Sequence, residues 1–118
     1  MKGIEVATSE KDGVVIVSVK GYIDTTTAPE AEKAIDGAIN AKKYRVVVDL
    51  SEVDYISSAG WGIFVGMKKI LKKNRGDIKL AGMKKEVMEV YEVLDFTHIM
   101  EYFRDTQGAA ASFGKKNG

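Results

Sequence analysis

Two periods of apolar residues alternate along this chain, and each change of period marks a predicted element. Ile4 and Val6, then Val14-Val15-Ile16-Val17-Ser18-Val19, are rich in β-branched residues. Lys11-Asp12-Gly13 between them is a turn signal, so the two segments are expected to form a hairpin. Gly21 is expected to end the second strand. Thr25, Thr26 and Thr27 lead into Ala28-Pro29, hydroxyls followed by a proline, which is how a helix commonly starts. Ala31, Ala34, Ile35, Ala38 and Ile39 then recur at helical spacing as one apolar stripe. Val46 to Leu50 is an apolar run broken only by Asp49, as expected of a central strand covered on both faces or flanked on both edges.

Ser51 to Ile56 carry the chain from that strand to a second helix starting at a serine. Ile63, Phe64, Met67, Ile70 and Leu71 form its stripe, with lysines opposite. Asn74 to Gly76 stop it. Ile78, Leu80 and Ala81 read as a further strand, and Val87, Met88, Tyr91 and Leu94 as a third helix. Ile99, Tyr102 and Phe103 suggest a last short strand, and Asp105 is placed to cap a final helix ending near Phe113-Gly114. A hairpin followed by alternating helices and strands predicts an α/β sandwich: a mixed sheet of four to five strands with about four helices. The 118 residues are expected to make one domain over 1–113, with 114–118 as a flexible tail.

Composition narrows the function classes. The apolar fraction of 45% and charged fraction of 30% are ordinary for a globular protein, and a net charge of +1 gives no long-range field. Nucleic acid is not expected as a direct partner, because such domains usually carry a basic face. The lysines cluster at 68-69, 72-73 and 84-85, with acids following, and read as solvated helix faces. The absence of cysteine excludes disulfides, thiol catalysis and zinc–thiolate sites. No apolar run approaches the roughly 18 residues of a membrane helix, and the N-terminus has no signal-peptide core. No membrane partner and a cytoplasmic location are therefore expected.

Catalytic chemistry is poorly supplied. His98 is the sole histidine, so no His pair exists to bind a metal, and no cofactor is expected. Asp24, Asp49, Asp54 and Asp95 are scattered. Gly60-Trp61-Gly62 is followed at the required third place by Val65, which breaks the dinucleotide fingerprint. Gly62 to Lys68 fails the phosphate-loop spacing. A small enzyme or nucleotide-binding domain is thus disfavoured. Gly62 and Gly66, one helical turn apart, are expected to let that face approach the sheet closely, or alternatively a partner.

Ser57-Ser58-Ala59-Gly60-Trp61-Gly62 is the most informative stretch. Ser58, at the expected helix start, is read as the cap, accepting a bond from a backbone N–H two or three places on. The same place favours a phosphate, which would meet the positive end of the helix and its free N–H groups.

Asp49-Leu50-Ser51 with Val53, Tyr55-Ile56-Ser57-Ser58-Ala59-Gly60 and Gly62 resembles the signature of the STAS domain of bacterial anti-sigma factor antagonists. Gly21-Tyr22-Ile23-Asp24 with Thr27-Ala28 is similar to a second family element. Lys79-Leu80-Ala81-Gly82, followed by Val87, Val90-Tyr91 and Leu94-Asp95-Phe96, is similar to a third. The resemblance runs from Ile4 to Phe103. It implies a STAS-like fold and a binding module that is not an enzyme. Its unphosphorylated form would bind an anti-sigma factor serine kinase and release the sigma factor. Phosphorylation would switch binding off, and a PP2C-type phosphatase would restore it. The acceptor position falls on Ser58, with Ser57 a minor candidate. The partner surface would comprise Asp24, Thr25, Thr26, Ser57, Ala59, Trp61 and Gly62, on one edge of the sheet. Many antagonists have Asp directly before the acceptor, where this chain has Ser57. Trp61 replaces a usual aliphatic residue, either as a partner-contact anchor or as packing over the helix start. The alternative role for the same fold is a scaffold or lipid-transport-complex subunit without phospho-switching.

Overall fold

The computed structural model describes residues 3–114. Strands β1 (Ile4–Lys11) and β2 (Val14–Ile23) form the expected antiparallel hairpin, with Lys11 opposite Val14. Asp12 and Gly13 between them have φ of 54° and 81°. Two left-handed residues give a turn whose twist matches the flanking strands, and an Asp-Gly pair suits it. The chain continues through α1 (Ala28–Asn40), β3 (Arg45–Ile56), α2 (Ser58–Lys73), β4 (Asp77–Ala81) and α3 (Lys85–Val93). A 3-10 turn at Phe96–His98, β5 (Tyr102–Phe103) and α4 (Thr106–Phe113) follow.

The sheet order is β1-β2-β3-β4-β5, with all pairings after the hairpin parallel. Each parallel step moves one place in the same direction, so right-handed crossovers put α1, α2 and α3 on one face. Packing agrees. Ile35 of α1, Phe64 and Leu71 of α2, and Val87 and Tyr91 of α3 share one core with Val15, Val17, Val48, Leu50 and Leu80. Helix α4 takes the other face, where Ala109 packs with Val14, Val47 and Ala81. Asp105 caps it as expected, accepting from the Gly108 N–H at 2.8 Å. The run Val46-Val47-Val48 is wholly buried because β3 is central and covered on both sides. Beneath α4 the buried Lys79 ammonium donates to Ser112 Oγ at 2.6 Å and lies 3.1 Å from Glu101, so its charge is paired rather than stranded.

Several boundaries differ from the sequence expectation. Strand β2 does not end at Gly21 but runs on to Ile23. Gly21 sits inside it at a register irregularity, with φ +110°, where a Cβ would stand 2.4 Å from Gly3 O. A glycine within a strand here marks a kink and a close approach, not an end. Strand β3 likewise continues to Ile56, so residues 51–56 are strand rather than connection. Ile99 lies outside β5, and Ile70 and Leu94 are exposed rather than buried in a helical stripe. Gly62 and Gly66 do not approach the sheet: nothing stands within 4 Å of a Cβ built on either, and both face outward. The expected tail begins at Gly114, and 115–118 lie outside the described residues.

Candidate functional site

The parallel strands β2 and β3 end side by side, with Tyr22 opposite Tyr55 and Ile23 opposite Ile56. Helices α1 and α2 begin there, at the carboxyl ends of the strands, the usual place for sites in parallel sheets. Ser57 joins the two connections. Its N–H donates to Ile23 O at 2.7 Å, and its O accepts from the Trp61 N–H at 3.0 Å. The start of α2 is thereby fixed against the end of β2.

The serine assignment at the cap needs correcting. Ser57, not Ser58, is the N-cap: its backbone is extended, with φ −78° and ψ 170°, and its Oγ accepts from the Gly60 N–H at 3.3 Å. Ser58 is the first helical residue and is exposed. The strand reaches to Ile56, one residue farther than a Ser58 cap requires, and the extended residue that must separate strand from helix is Ser57. The N–H groups of Ser58 and Ala59 fall in the first turn, where no intrahelical acceptor exists.

Gly60 explains why a glycine follows the serines. A Cβ there would stand 2.7 Å from Ile23 Cγ2 and 2.9 Å from Ile56 Cγ2. These are branch methyls close to the backbone, so relief requires the strand ends to move. Gly60→Ala is expected to cost about 1–3 kcal/mol from overpacking, offset by about 1 kcal/mol of helix propensity. Urea unfolding should show the net loss as a lower midpoint.

Asp24 organises the neighbouring loop. Its Oδ1 accepts from Thr26 N–H at 2.9 Å, the Thr26 hydroxyl at 3.0 Å and Thr27 N–H at 3.0 Å. The Thr27 hydroxyl donates to Tyr22 O at 2.6 Å and accepts from Asp24 N–H at 2.8 Å. The bond from Thr27 N–H, then that from the Thr26 hydroxyl, hold the Asp24 pKa below its ordinary value. A carboxyl whose pKa falls on folding contributes stability above its unfolded pKa, and that contribution is lost as pH drops through the folded value. Asp24→Asn is therefore expected to flatten the acid limb of the Tm–pH curve below about pH 4. Calorimetry across that limb checks it.

Of the other residues assigned to a partner surface, Thr25, Thr26 and Gly62 are exposed, and Asp24, Ser57 and Ala59 are half-buried. They gather around the α2 start. That place is the carboxyl end of two inner strands rather than a lateral edge of the sheet. Trp61 does not fit an anchor role. Its side chain is 2% exposed and stacks on Phe96, with ring centroids 5.0 Å apart. Helical rotation explains this: Gly60, Trp61 and Phe64 turn inward, whereas Ser58 and Gly62 turn outward.

The sequence reading missed an apolar rim. Tyr22 and Tyr55 are cross-strand partners, 53% and 49% exposed, beside the site. Their alternation with the buried Ile23 and Ile56 was the available signal. Across a hollow of about 190 Å³ lined by Tyr55, Trp61 and Val87, helix α3 presents Val90. Val93 and Leu94 continue the exposed apolar surface at the end of α3. On this rim Lys84 donates to Asp54, which raises the lysine's pKa. His98 is exposed in its 3-10 turn, 3.6 Å from Asp95. Among the described residues no cluster of three or more His, Asp or Glu is placed to hold a metal, and no helix is long and apolar enough to cross a membrane.

A family model described as the STAS domain matches residues 5–109. BtrV of Bordetella bronchiseptica, named among the anti-sigma factor antagonists, is 32% identical over 102 residues, covering 86% of this chain and 88% of that protein. The anti-sigma-B factor antagonist of Listeria monocytogenes is 31% identical over 98 residues, covering 83% and 85%. An anti-sigma factor antagonist from Mycobacterium paratuberculosis has a crystal structure that superposes with a TM-score of 0.83 at 26% identity, covering 92% of each chain. With its five-stranded mixed sheet, four helices and serine-led second helix, the chain belongs to the STAS domain family.

Proposed function

We propose that this chain is an anti-sigma factor antagonist working as a phospho-switch. Unphosphorylated, it binds a kinase-type anti-sigma factor and so releases a sigma factor. The kinase transfers phosphate to Ser58, which ends binding, and a PP2C-type phosphatase reverses the transfer. The protein acts as a binding partner rather than an enzyme, in the cytoplasm where its partners work. The names of its relatives support the antagonist role.

The observation that carries the switch is the division of labour between the two serines. Ser57 caps α2, leaving the Ser58 hydroxyl exposed on the first helical residue. A phosphate on Ser58 therefore removes no cap and meets the positive end of the helix. The docking surface is read as Ser58 and Gly62 of α2, the Asp24–Thr26 loop, and the apolar rim of Tyr55 and Val90. Trp61 supports it from beneath.

The test is incubation with the cognate kinase and ATP, followed by peptide mass spectrometry. Wild type and Ser57→Ala should take up phosphate at position 58, and Ser58→Ala should take up none. Full-rate labelling of Ser58→Ala would sink the assignment.

A further inference from the structure

We propose that β1 is a dimerisation edge, through which two copies of this chain join their sheets antiparallel about a twofold axis at Thr8. Among the described residues β1 pairs only with β2, so its outer side is open. It is long for an edge strand at eight residues, and its centre, Val6-Ala7-Thr8-Ser9, has no charge, proline or bulge to discourage pairing.

The backbone fixes which residues face outward. Tyr22 N–H donates to Gly3 O at 2.7 Å, which makes Gly3 one of the residues turned toward β2. Alternation then turns Glu5, Ala7, Ser9 and Lys11 inward, leaving the N–H and C=O groups of Val6, Thr8 and Glu10 pointing out. An antiparallel twofold pairing keeps equivalent faces together, so opposed residues must have the same parity. Centred on Thr8, Thr8 meets its own copy, Val6 meets Glu10, and Glu5 meets Lys11. The first two are hydrogen-bonded pairs made by the outward groups. Glu5 and Lys11 fall in a non-hydrogen-bonded pair, where side chains are closest.

Charge selects this register. On one face of the sheet Glu52 lies opposite Lys20, and Lys20 opposite Glu5. This row alternates in sign and stops at the edge on an acid. Lys11 of the second copy extends it with a cation, and symmetry does so twice. The neighbouring register, centred on Ala7, would put Glu5 against Ser9 and Lys11 against Gly3, so the row would gain no cation. On the other face α1 stands back from β1, leaving a groove of about 650 Å³ lined by Val6, Thr8, Val15, Ala34 and Ala38. The Glu10 carboxylate is held by Lys43 within that groove. The two α1 helices are thus kept apart when the sheets join.

The test is sedimentation velocity of the full chain over a concentration series at low salt. Wild type should form a dimer. Glu5→Lys or Lys11→Glu alone opposes like charges twice and should weaken it roughly tenfold or more. The double exchange should restore it to within about threefold. Thr8→Pro removes an outward N–H without touching the β1–β2 ladder. It should yield monomers whose thermal unfolding stays cooperative. A wild type that is monomeric up to millimolar concentration overturns the proposal. So does a dimer indifferent to these substitutions, or a double exchange no tighter than the single ones.

Discussion

Glutamate at position 58 is expected to weaken binding to the anti-sigma factor by two orders of magnitude or more while leaving the fold at least as stable as wild type. The two effects have opposite signs because they act at different stages. In the free protein, position 58 is exposed in the first turn of α2. An acid there meets the positive helix end, worth about 0.3–1 kcal/mol. In the complex the same charge must be desolvated beside a loop that already carries the Asp24 carboxylate. An uncompensated charge buried at an interface costs about 3–4 kcal/mol, which corresponds to several hundredfold in affinity. Phosphoserine, with a charge of about −1.5 to −2, should act at least as strongly. Ser57→Ala should behave in the reverse manner. It removes the cap and about 1 kcal/mol of stability, yet retains binding and phosphorylation. Titration calorimetry with the isolated anti-sigma factor, run alongside thermal unfolding, separates the two serines. A Ser58→Glu protein binding within threefold of wild type contradicts the switch.

The exchange of roles between Ser57 and Ser58 shows where sequence reasoning reached and where it stopped. Periodicity located the first four strands and three helices, because each buries a stripe or an alternating face, and the Asp105 cap signal placed the fourth helix. It could not place the β3–α2 boundary, since the polar residues from Ser51 to Tyr55 look like a connection. They are strand residues in which Ser51, Glu52, Asp54 and Tyr55 are exposed while Val53 is buried in the core. The cap moved by one residue for that reason. Gly21 was misread as a terminus because a glycine in a strand gives the same signal whether the strand kinks or ends. Gly62 and Gly66 share one helical face, but spacing does not say whether that face meets the sheet or solvent. The resemblance to the STAS family pointed to the candidate site through Ser57, Ser58 and Gly60. It included Tyr55 and Val90 without marking them as surface, because they come together only when β3 and α3 pack.

Trp61→Ala is expected to cost about 3–5 kcal/mol, a large part of the roughly 5–15 kcal/mol that holds a domain of this size together. The indole is the hinge of one aromatic cluster. It stacks on Phe96 at 5.0 Å, meets Phe64 edge-on at 6.2 Å and lies 6.1 Å from Tyr91. Its removal would detach α2 from α3 and the 3-10 turn, and the rim of the docking surface would loosen with them. Trp61→Phe should behave differently. The Nε1–H is buried and no described residue accepts from it, and a buried donor without a protein partner costs up to about 1–3 kcal/mol. Phenylalanine loses packing volume but also removes that unpaired group, so its net cost should be within about 2 kcal/mol. Chemical denaturation of both variants provides the comparison. In wild type, fluorescence of the sole tryptophan is expected to be blue-shifted, as for an indole out of water. The pair also separates structural support from direct contact. A folded Trp61→Phe protein should bind the anti-sigma factor nearly as tightly as wild type, because the side chain is covered before the partner arrives. If it folds normally and binding collapses, the indole must turn outward in the complex, and Trp61 is an interface residue after all.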